Sequence, residues 1–180
     1  MYEIPAGDAQ LAQGDIFRGN FLFPYIHDLT EEVQLIREQA TVPEGEVADA
    51  WATGSEVLVL PAHRTVLAII LSNTCDLVAD AGRDPLEFVT LGAMLPIERL
   101  PHEREKGNCR RNRFIRYHYL EPNPNPELEE SYVHFGLTSL VRQESLSQFR
   151  DSRILSLRSP HRESLGHRFG EFVSRIALPR

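Results

Sequence analysis

Residues 66–71, Val-Leu-Ala-Ile-Ile-Leu, form an apolar run that stops abruptly at the polar stretch Ser72-Asn73-Thr74-Cys75-Asp76. A short run rich in β-branched residues that ends in this way is typical of a buried strand. Loops at strand ends hold many binding and catalytic groups, because the sheet fixes their positions while solvent can still reach them. The pattern therefore predicts a strand that carries candidate functional side chains at its exposed end.

Other short apolar or alternating segments predict a chain that is mainly β. Gly14 and Asp15 indicate a turn before a strand that continues towards Phe23, whereas residues 41–54 and the proline-rich residues 121–126 predict exposed loops. Residues 30–37 fit a short helix capped by Thr30 and fit a strand equally well, so both alternatives stay open. Further strands are predicted at residues 56–60, 64–71, 86–91, 114–120 and from 131 onwards, with a tight turn at 80–85.

The C-terminal part of the chain predicts a helix. Ser159 and Pro160 supply a capping hydroxyl and a first-turn proline. Apolar residues then recur on one helical face, namely Leu165, Phe169, Phe172, Val173 and Ile176. Strands followed by a helix predict an α+β, mainly β fold: a small β-barrel or rolled sheet with additional strands and a C-terminal helical extension. We predict a single domain over residues 1–180, with a barrel core at 8–100, additional strands and loops at 101–158 and the helix at 159–180.

Composition is ordinary for a soluble globular protein, but charge is unevenly distributed. The 180 residues are 42% hydrophobic and 25% charged, with a net charge of −7. Residues 1–99 hold 5 basic against 16 acidic side chains, and residues 100–180 hold 14 basic against 10 acidic, which gives −11 and +4. The asymmetry indicates either an acidic partner-facing surface beside a basic anion-facing one, or two segments that pair with each other.

The chain carries no sign of export or membrane insertion. No apolar run approaches the roughly 20 residues that cross a bilayer, and the first residues lack the pattern of a signal peptide. Cys75 and Cys109 lie far apart, without the Cys-x-x-Cys spacing of many redox and metal sites. We expect a reduced cytoplasmic protein with free thiols and no membrane contact.

Two motifs together resemble the MazF/PemK toxin family. Gly14-Asp15-Ile16-Phe17 matches the Gly-Asp-hydrophobic strand with which the family begins. His63-Arg64-Thr65, followed by the apolar run and Ser72, is similar to the family's His/Arg-Arg-Pro segment and its strand ending in Leu-Ser. Residues 86–96 look like the third strand and its proline-containing loop. The resemblance covers residues 11–100 and implies a small SH3-like barrel.

The chain departs from this family at two functional positions. Thr65 stands where the family has proline beside the arginine that corresponds to Arg64. Residues 92–96, where the family's later loop would fall, offer no hydroxyl to act on a phosphodiester. The Ser-x-x-Cys-Asp motif at 72–76 also looks similar to a motif of uncharacterised bacterial proteins, which supplies no chemistry.

The cluster at the end of the apolar strand has two interpretations. A thiolate activated by His63 or His118, or a carboxylate that positions water or a metal, would make a catalytic site. Alternatively, the serine, asparagine, threonine and aspartate side chains shape a turn and the cysteine is a small buried hydrophobe, which is the interpretation that we favour. The candidate catalytic residues are Arg64, Ser72, Cys75 and Asp76.

No metal site and no cofactor are predicted. The chain contains five possible zinc ligands, namely Cys75, Cys109, His63, His118 and His134. Their spacing does not match that of a zinc finger or ribbon.

The segment from 110 to 119 interleaves basic and aromatic residues. Arginines neutralise phosphates and aromatic rings stack on unpaired bases, so the candidate nucleic-acid-binding residues are Arg110, Arg111, Arg113 and Arg116. In a strand, Ile115, Tyr117 and Tyr119 would share one face and enter the core, and Phe114, Arg116 and His118 would share the other. That arrangement favours a solvated edge strand over an RNA-binding surface.

These observations predict a non-catalytic or regulatory binding module with a MazF/PemK-like barrel, which engages a protein partner in a bacterial stress or defence system. The first alternative is an RNA-directed endoribonuclease of the toxin type, in which Arg64 and Asp76 position the phosphodiester and the arginines at 110–116 hold the backbone. The second alternative is a cysteine-dependent enzyme that uses Cys75 on an unidentified substrate. The pattern predicts no oligomeric state.

Overall fold

The computed structural model describes residues 1–7, 9–24, 62–77, 87–148 and 150–177. The chain divides into two compact units: one combines Met1–Phe23 with Arg64–Arg180, and the other is Pro24–His63. The second unit lies almost entirely outside the described residues. The predictions made for residues 30–37, 41–54, 56–60 and 80–85 also fall outside them.

The described residues form nine strands and four helices. The strands are β1 Tyr2–Glu3, β2 Asp15–Pro24, β3 Ala62–Ile70, β4 Phe88–Pro96, β5 Tyr117–Leu120, β6 Asn123–Pro124, β7 Glu127–Leu128, β8 Ser131–Arg142 and β9 Arg153–Leu157. The helices are α1 Thr74–Leu77, α2 Glu103–Arg110, α3 Gln143–Gln148 and α4 His161–Ala177. Single turns of 3-10 helix at Ile97–Arg99 and Arg150–Ser152 precede α2 and β9.

Seven of these strands form one curled antiparallel sheet with the shape of a half-barrel, in the order β1-β9-β2-β3-β4-β8-β5. The order places β9, from the end of the chain, between β1 and β2. The α+β, mainly β class is therefore confirmed. The short strands β6 and β7 pair with each other, so the proline-rich segment that we predicted as an exposed loop forms a small hairpin.

The core is built from the sheet and from α4, which packs against it. Its buried members come from seven strands, from the residue after β3 and from the helix: Ile16, Ile69, Leu71, Met94, Leu120, Leu128, Val133, Phe135, Leu155, Leu157 and Leu165. The ring of Phe135 packs against the rings of Phe169 and Phe172, with centroid distances of 5.5 and 5.8 Å. The predicted C-terminal helix is confirmed, but Val173 is 45% exposed and does not belong to its buried face.

The Gly14-Asp15 motif has a structural explanation in this chain. Gly14 has a φ of +85°, and a Cβ at this position would lie 2.9 Å from the Cβ of Leu157. The Asp15 side chain accepts hydrogen bonds from the backbone N–H of Ala12 at 2.9 Å and from Ser156 Oγ at 2.6 Å. The motif therefore joins the start of β2 to β9 and to the segment before it.

Two sequence predictions about the later strands are wrong. Residues 92–96 lie within β4, which continues to Pro96, and do not form a loop. In β5 the side chains of His118 and Leu120 are buried, whereas Tyr117 and Tyr119 are only half-buried. The tyrosines therefore do not form the core face, because Tyr119 uses its hydroxyl in a bond to Glu130 at the edge of the sheet.

Candidate functional sites

The corner after β3 is held by its own side chains. The backbone N–H of Thr90 donates to Ser72 Oγ at 2.9 Å, and the backbone N–H of Gln13 donates to Thr74 Oγ1 at 3.1 Å. These bonds attach the corner to β4 and to the turn before β2. The interpretation in which the hydroxyls shape the corner therefore agrees with the geometry.

Gln13 completes this corner, and sequence reasoning missed it. Its side chain is buried and donates through Nε2 to the carbonyl oxygen of Leu71 at 2.7 Å and to Asn73 Oδ1 at 3.4 Å. A buried amide needs partners because an unpaired polar group in the interior is costly. Its position directly before the Gly14-Asp15 turn was the available signal, but nothing in the sequence indicates a bond to residues some sixty positions away.

Cys75 is exposed, so the prediction of a small buried hydrophobe at this position is wrong. The helix α1 is a single turn, and its buried residue is Leu77. Among the described residues, the hydrogen-bond partner of Cys75 Sγ is Asp76 Oδ1, at 3.7 Å. Thiolate chemistry needs a basic or cationic neighbour, and this carboxylate is an anion.

Arg64 lies near the start of β3, and the corner follows the end of the same strand. A strand rises by about 3.3 Å per residue, so the six steps from Arg64 to Ile70 span about 20 Å along the strand. The candidate catalytic arginine is therefore separated from Ser72, Cys75 and Asp76 by most of the length of β3.

The predicted nucleic-acid-binding arginines also divide into different environments. Arg110 forms a bidentate ion pair with Glu130, through Nε–Oε1 at 2.7 Å and Nη2–Oε2 at 2.8 Å, and Tyr119 donates its hydroxyl to the same carboxylate at 2.7 Å. The hydrogen bond from Arg110 lowers the pKa of Glu130 to about 2. Arg116 is exposed and lies over the ring of Tyr117, with Cζ 5.8 Å from the ring centroid.

Arg111 and Arg113 instead line an open groove beside α2, which we call the arginine groove. Its volume is about 520 Å³, and it is lined by Glu103, Arg104, Gly107, Asn108, Arg111, Arg113 and Phe114. Arg104 was not among our predicted residues, because it precedes the arginine-rich segment and only the helix brings it to the same surface. Within the described part of the chain, none of these three arginines forms an ion pair.

The turn that carries Arg111 and Arg113 is fixed by hydrogen bonds to β5, α2 and α4. Asn112 has a φ of 52°, and its side-chain oxygen accepts the backbone N–H of Tyr119 at 2.8 Å. The backbone N–H of Arg113 donates to the carbonyl oxygen of Asn108 at 3.0 Å. Arg168, from α4, donates through Nη2 to the carbonyl oxygens of Phe114 at 2.6 Å and Tyr117 at 2.9 Å.

A third feature lies where β4 begins and β8 ends. Phe88 is 43% exposed and Leu140 is 69% exposed. Phe88 is opposite Arg142 and Thr90 is opposite Leu140 in the sheet, so these four side chains share one face. Arg142 lies over the ring of Phe88 and pairs with Glu87 at 3.4 Å. We call Phe88 and Leu140, with this charged rim, the β4–β8 patch.

The possible metal ligands do not come together in the described residues. No group of three or more His, Cys, Asp or Glu side chains is placed to hold a metal ion there. Cys109 is buried in α2, and burial raises the pKa of its thiol to about 11. His118 is buried in β5, and burial lowers the pKa of its imidazole to about 4.

No family model, curated protein or solved structure matches this chain. The resemblance to the MazF/PemK family therefore stays a prediction. In the part of the chain that the structure describes, no helix combines the length and the apolar character needed to cross a membrane.

Proposed function

We propose that this protein is a non-catalytic or regulatory binding module, built on a MazF/PemK-like barrel, which engages a protein partner in a bacterial stress or defence system. The β4–β8 patch carries the proposal: Phe88 and Leu140 are large, apolar and exposed on one face of neighbouring strands. Apolar anchors surrounded by charged groups are typical of protein interfaces. Here the rim is the exposed pair of Glu87 and Arg142.

The candidate catalytic residues support a binding role over an enzymatic one. The hydroxyls of Ser72 and Thr74 accept backbone hydrogen bonds, and the partner of Cys75 is a carboxylate. Arg64 lies at the other end of β3 from all of them. Both the endoribonuclease and the cysteine-dependent enzyme need such groups to converge on one reacting atom.

Partner capture with matched variants tests the binding surface. The tagged full-length chain is incubated with lysate from its native host, beside a Phe88→Ser/Leu140→Ser double variant and a Val173→Ser control. Val173 is 45% exposed on α4 and lies outside the patch. We expect a protein that the wild type and the control retain and the double variant loses. Equal recovery by all three chains would contradict the proposed surface.

RNA cleavage tests the catalytic alternative separately. Purified protein is incubated with long single-stranded RNA, beside the Arg64→Ala variant. We expect no cleavage by either chain. Cleavage by the wild type that disappears in the variant would establish the endoribonuclease and remove the non-catalytic proposal. The cysteine-dependent alternative instead requires that Cys75→Ser abolishes an activity of the wild-type chain.

A further inference from the structure

We propose that the arginine groove binds a nucleotide that carries more than one phosphate. This site is distinct from the β4–β8 patch, and the inference does not depend on the proposed protein partner.

The charge of the groove favours a small polyanion. Arg104, Arg111 and Arg113 line it and form no ion pair within the described residues. The acidic lining residue, Glu103, lies 2.9 Å from Nζ of Lys106, which also pairs with Glu98. The three arginines outnumber this carboxylate, so the lining has a formal net charge of +2. Guanidinium groups bind phosphate oxygens through paired hydrogen bonds, so unpaired arginines on one surface match neighbouring phosphates.

The ring of Phe114 gives the groove a second recognition element. Phe114 lines the groove, and its ring packs edge-on against Tyr117 with the ring centroids 5.4 Å apart. A half-buried aromatic ring beside arginines offers a surface on which a nucleobase can stack. An inorganic or carboxylate anion would use the arginines alone, whereas a nucleotide uses both elements.

The size of the groove favours a single nucleotide over a long strand. Its volume of about 520 Å³ falls within the range of roughly 300–1,000 Å³ that is typical of small-molecule sites. The basic surface of the arginine groove does not extend to Arg110, because the guanidinium of Arg110 is paired with Glu130. The whole chain carries −7, which opposes the approach of a long polyanion beyond this local surface.

The site is also fixed before a ligand arrives. Asn112 anchors the turn to β5, and Arg168 holds the carbonyl oxygens of Phe114 and Tyr117. The backbone that carries two of the arginines and the ring therefore needs little ordering on binding. Preorganisation of this kind increases affinity because less conformational entropy is lost.

Isothermal titration with defined probes tests the inference. The full-length chain is titrated with ATP, UTP, inorganic tripolyphosphate, adenosine and a ten-nucleotide RNA of mixed sequence. We expect saturable binding of the triphosphates with a dissociation constant below about 1 mM, tripolyphosphate weaker by about fivefold or more, and no binding of adenosine. No saturation by ATP or UTP would overturn the proposal. RNA that binds about tenfold more tightly than either nucleotide would also overturn it, in favour of a polynucleotide site.

Variants locate the binding event. Arg111→Gln and Arg113→Gln remove exposed charges, and each should weaken ATP binding by about tenfold. Phe114→Leu keeps an apolar side chain and should reduce the affinity for ATP to that for tripolyphosphate. Arg150→Gln, at an exposed position outside the groove, is the matched control and should leave binding unchanged. ATP binding that survives in both arginine variants would place the ligand elsewhere and refute the site.

Discussion

Asp15 and Arg153 form an ion pair in the interior of the protein. Their side chains are 1% and 2% exposed, and Oδ2 of the carboxylate lies 2.9 Å from Nη1 of the guanidinium. Arg153 also donates to the carbonyl oxygens of Gln10, Ala6 and Ala9, at 3.1, 2.9 and 3.0 Å. A residue from β9 thereby fixes the N-terminal segment that leads into β2.

Removing the carboxylate of this pair should destabilise the fold strongly. Asp15→Ala leaves the Arg153 guanidinium buried without its counter-charge, and such losses cost about 3–5 kcal/mol. Urea unfolding followed by circular dichroism measures the difference. As a control, Glu87→Gln breaks the exposed pair with Arg142 and should cost less than about 1 kcal/mol. Similar losses in both variants would contradict the role assigned to burial.

Gly14 should not tolerate a side chain. Its φ of +85° is unfavourable for other residues, and a Cβ would lie 2.9 Å from Leu157 Cβ. We expect Gly14→Ala to lower the free energy of unfolding by about 1–3 kcal/mol. Gly170→Ala is the contrasting control, because its Cβ would meet no atom within 4 Å. In the middle of α4 that change should stabilise the protein by about 0.5–1 kcal/mol. An unaffected Gly14→Ala variant would show that this turn can relax.

Local signals account for the parts of the structure that the sequence predicted. The apolar run at 66–71 identified β3 because its length and β-branched content suit a buried strand. Ser159 and Pro160 marked the start of α4, which begins at His161. Both signals arise within a few consecutive residues, so they can be recognised in the sequence without knowledge of the fold.

The environments of the arginines could not be predicted in this way. Arg110 and Arg113 look alike in the sequence, but one pairs with Glu130, twenty positions away, and the other lines an open groove. The difference between the two arginine environments depends on which part of the sheet packs beside the end of α2. The same carboxylate explains why the predicted core face of β5 is wrong, since Glu130 also accepts a hydrogen bond from the hydroxyl of Tyr119 at the edge of the sheet.

The two cysteines should differ sharply in reactivity. Cys75 is exposed, whereas Cys109 is buried with a pKa raised to about 11. With that pKa, only about one buried Cys109 in a thousand is a thiolate at pH 8. Titration of the native protein with a chromogenic disulfide should therefore show one fast thiol, which Cys75→Ser removes and Cys109→Ser leaves. Two fast thiols in the native protein would show that α2 opens readily.

His118 should make the fold sensitive to mild acid. Its side chain is 3% exposed, and burial, together with the charge of Arg168, lowers the pKa of the imidazole to about 4. In the unfolded chain the pKa is close to 6.5, so between these values the unfolded state binds the additional proton. The contribution of His118 to the free energy of unfolding is therefore fully present above pH 6.5. It is lost as the pH drops towards 4, and the loss amounts to about 3 kcal/mol in total.

Urea unfolding between pH 7.5 and 4.5 measures this loss, and the comparison with variants separates it from the titration of carboxylates. His118→Leu removes the titrating group, so its stability should fall less steeply with acid than that of the wild type. His167→Gln, at an exposed position on α4, should follow the wild-type curve. If the His118→Leu and wild-type curves run parallel, the imidazole accepts its proton in the folded protein, and the interior around β5 must then admit water beside Arg168.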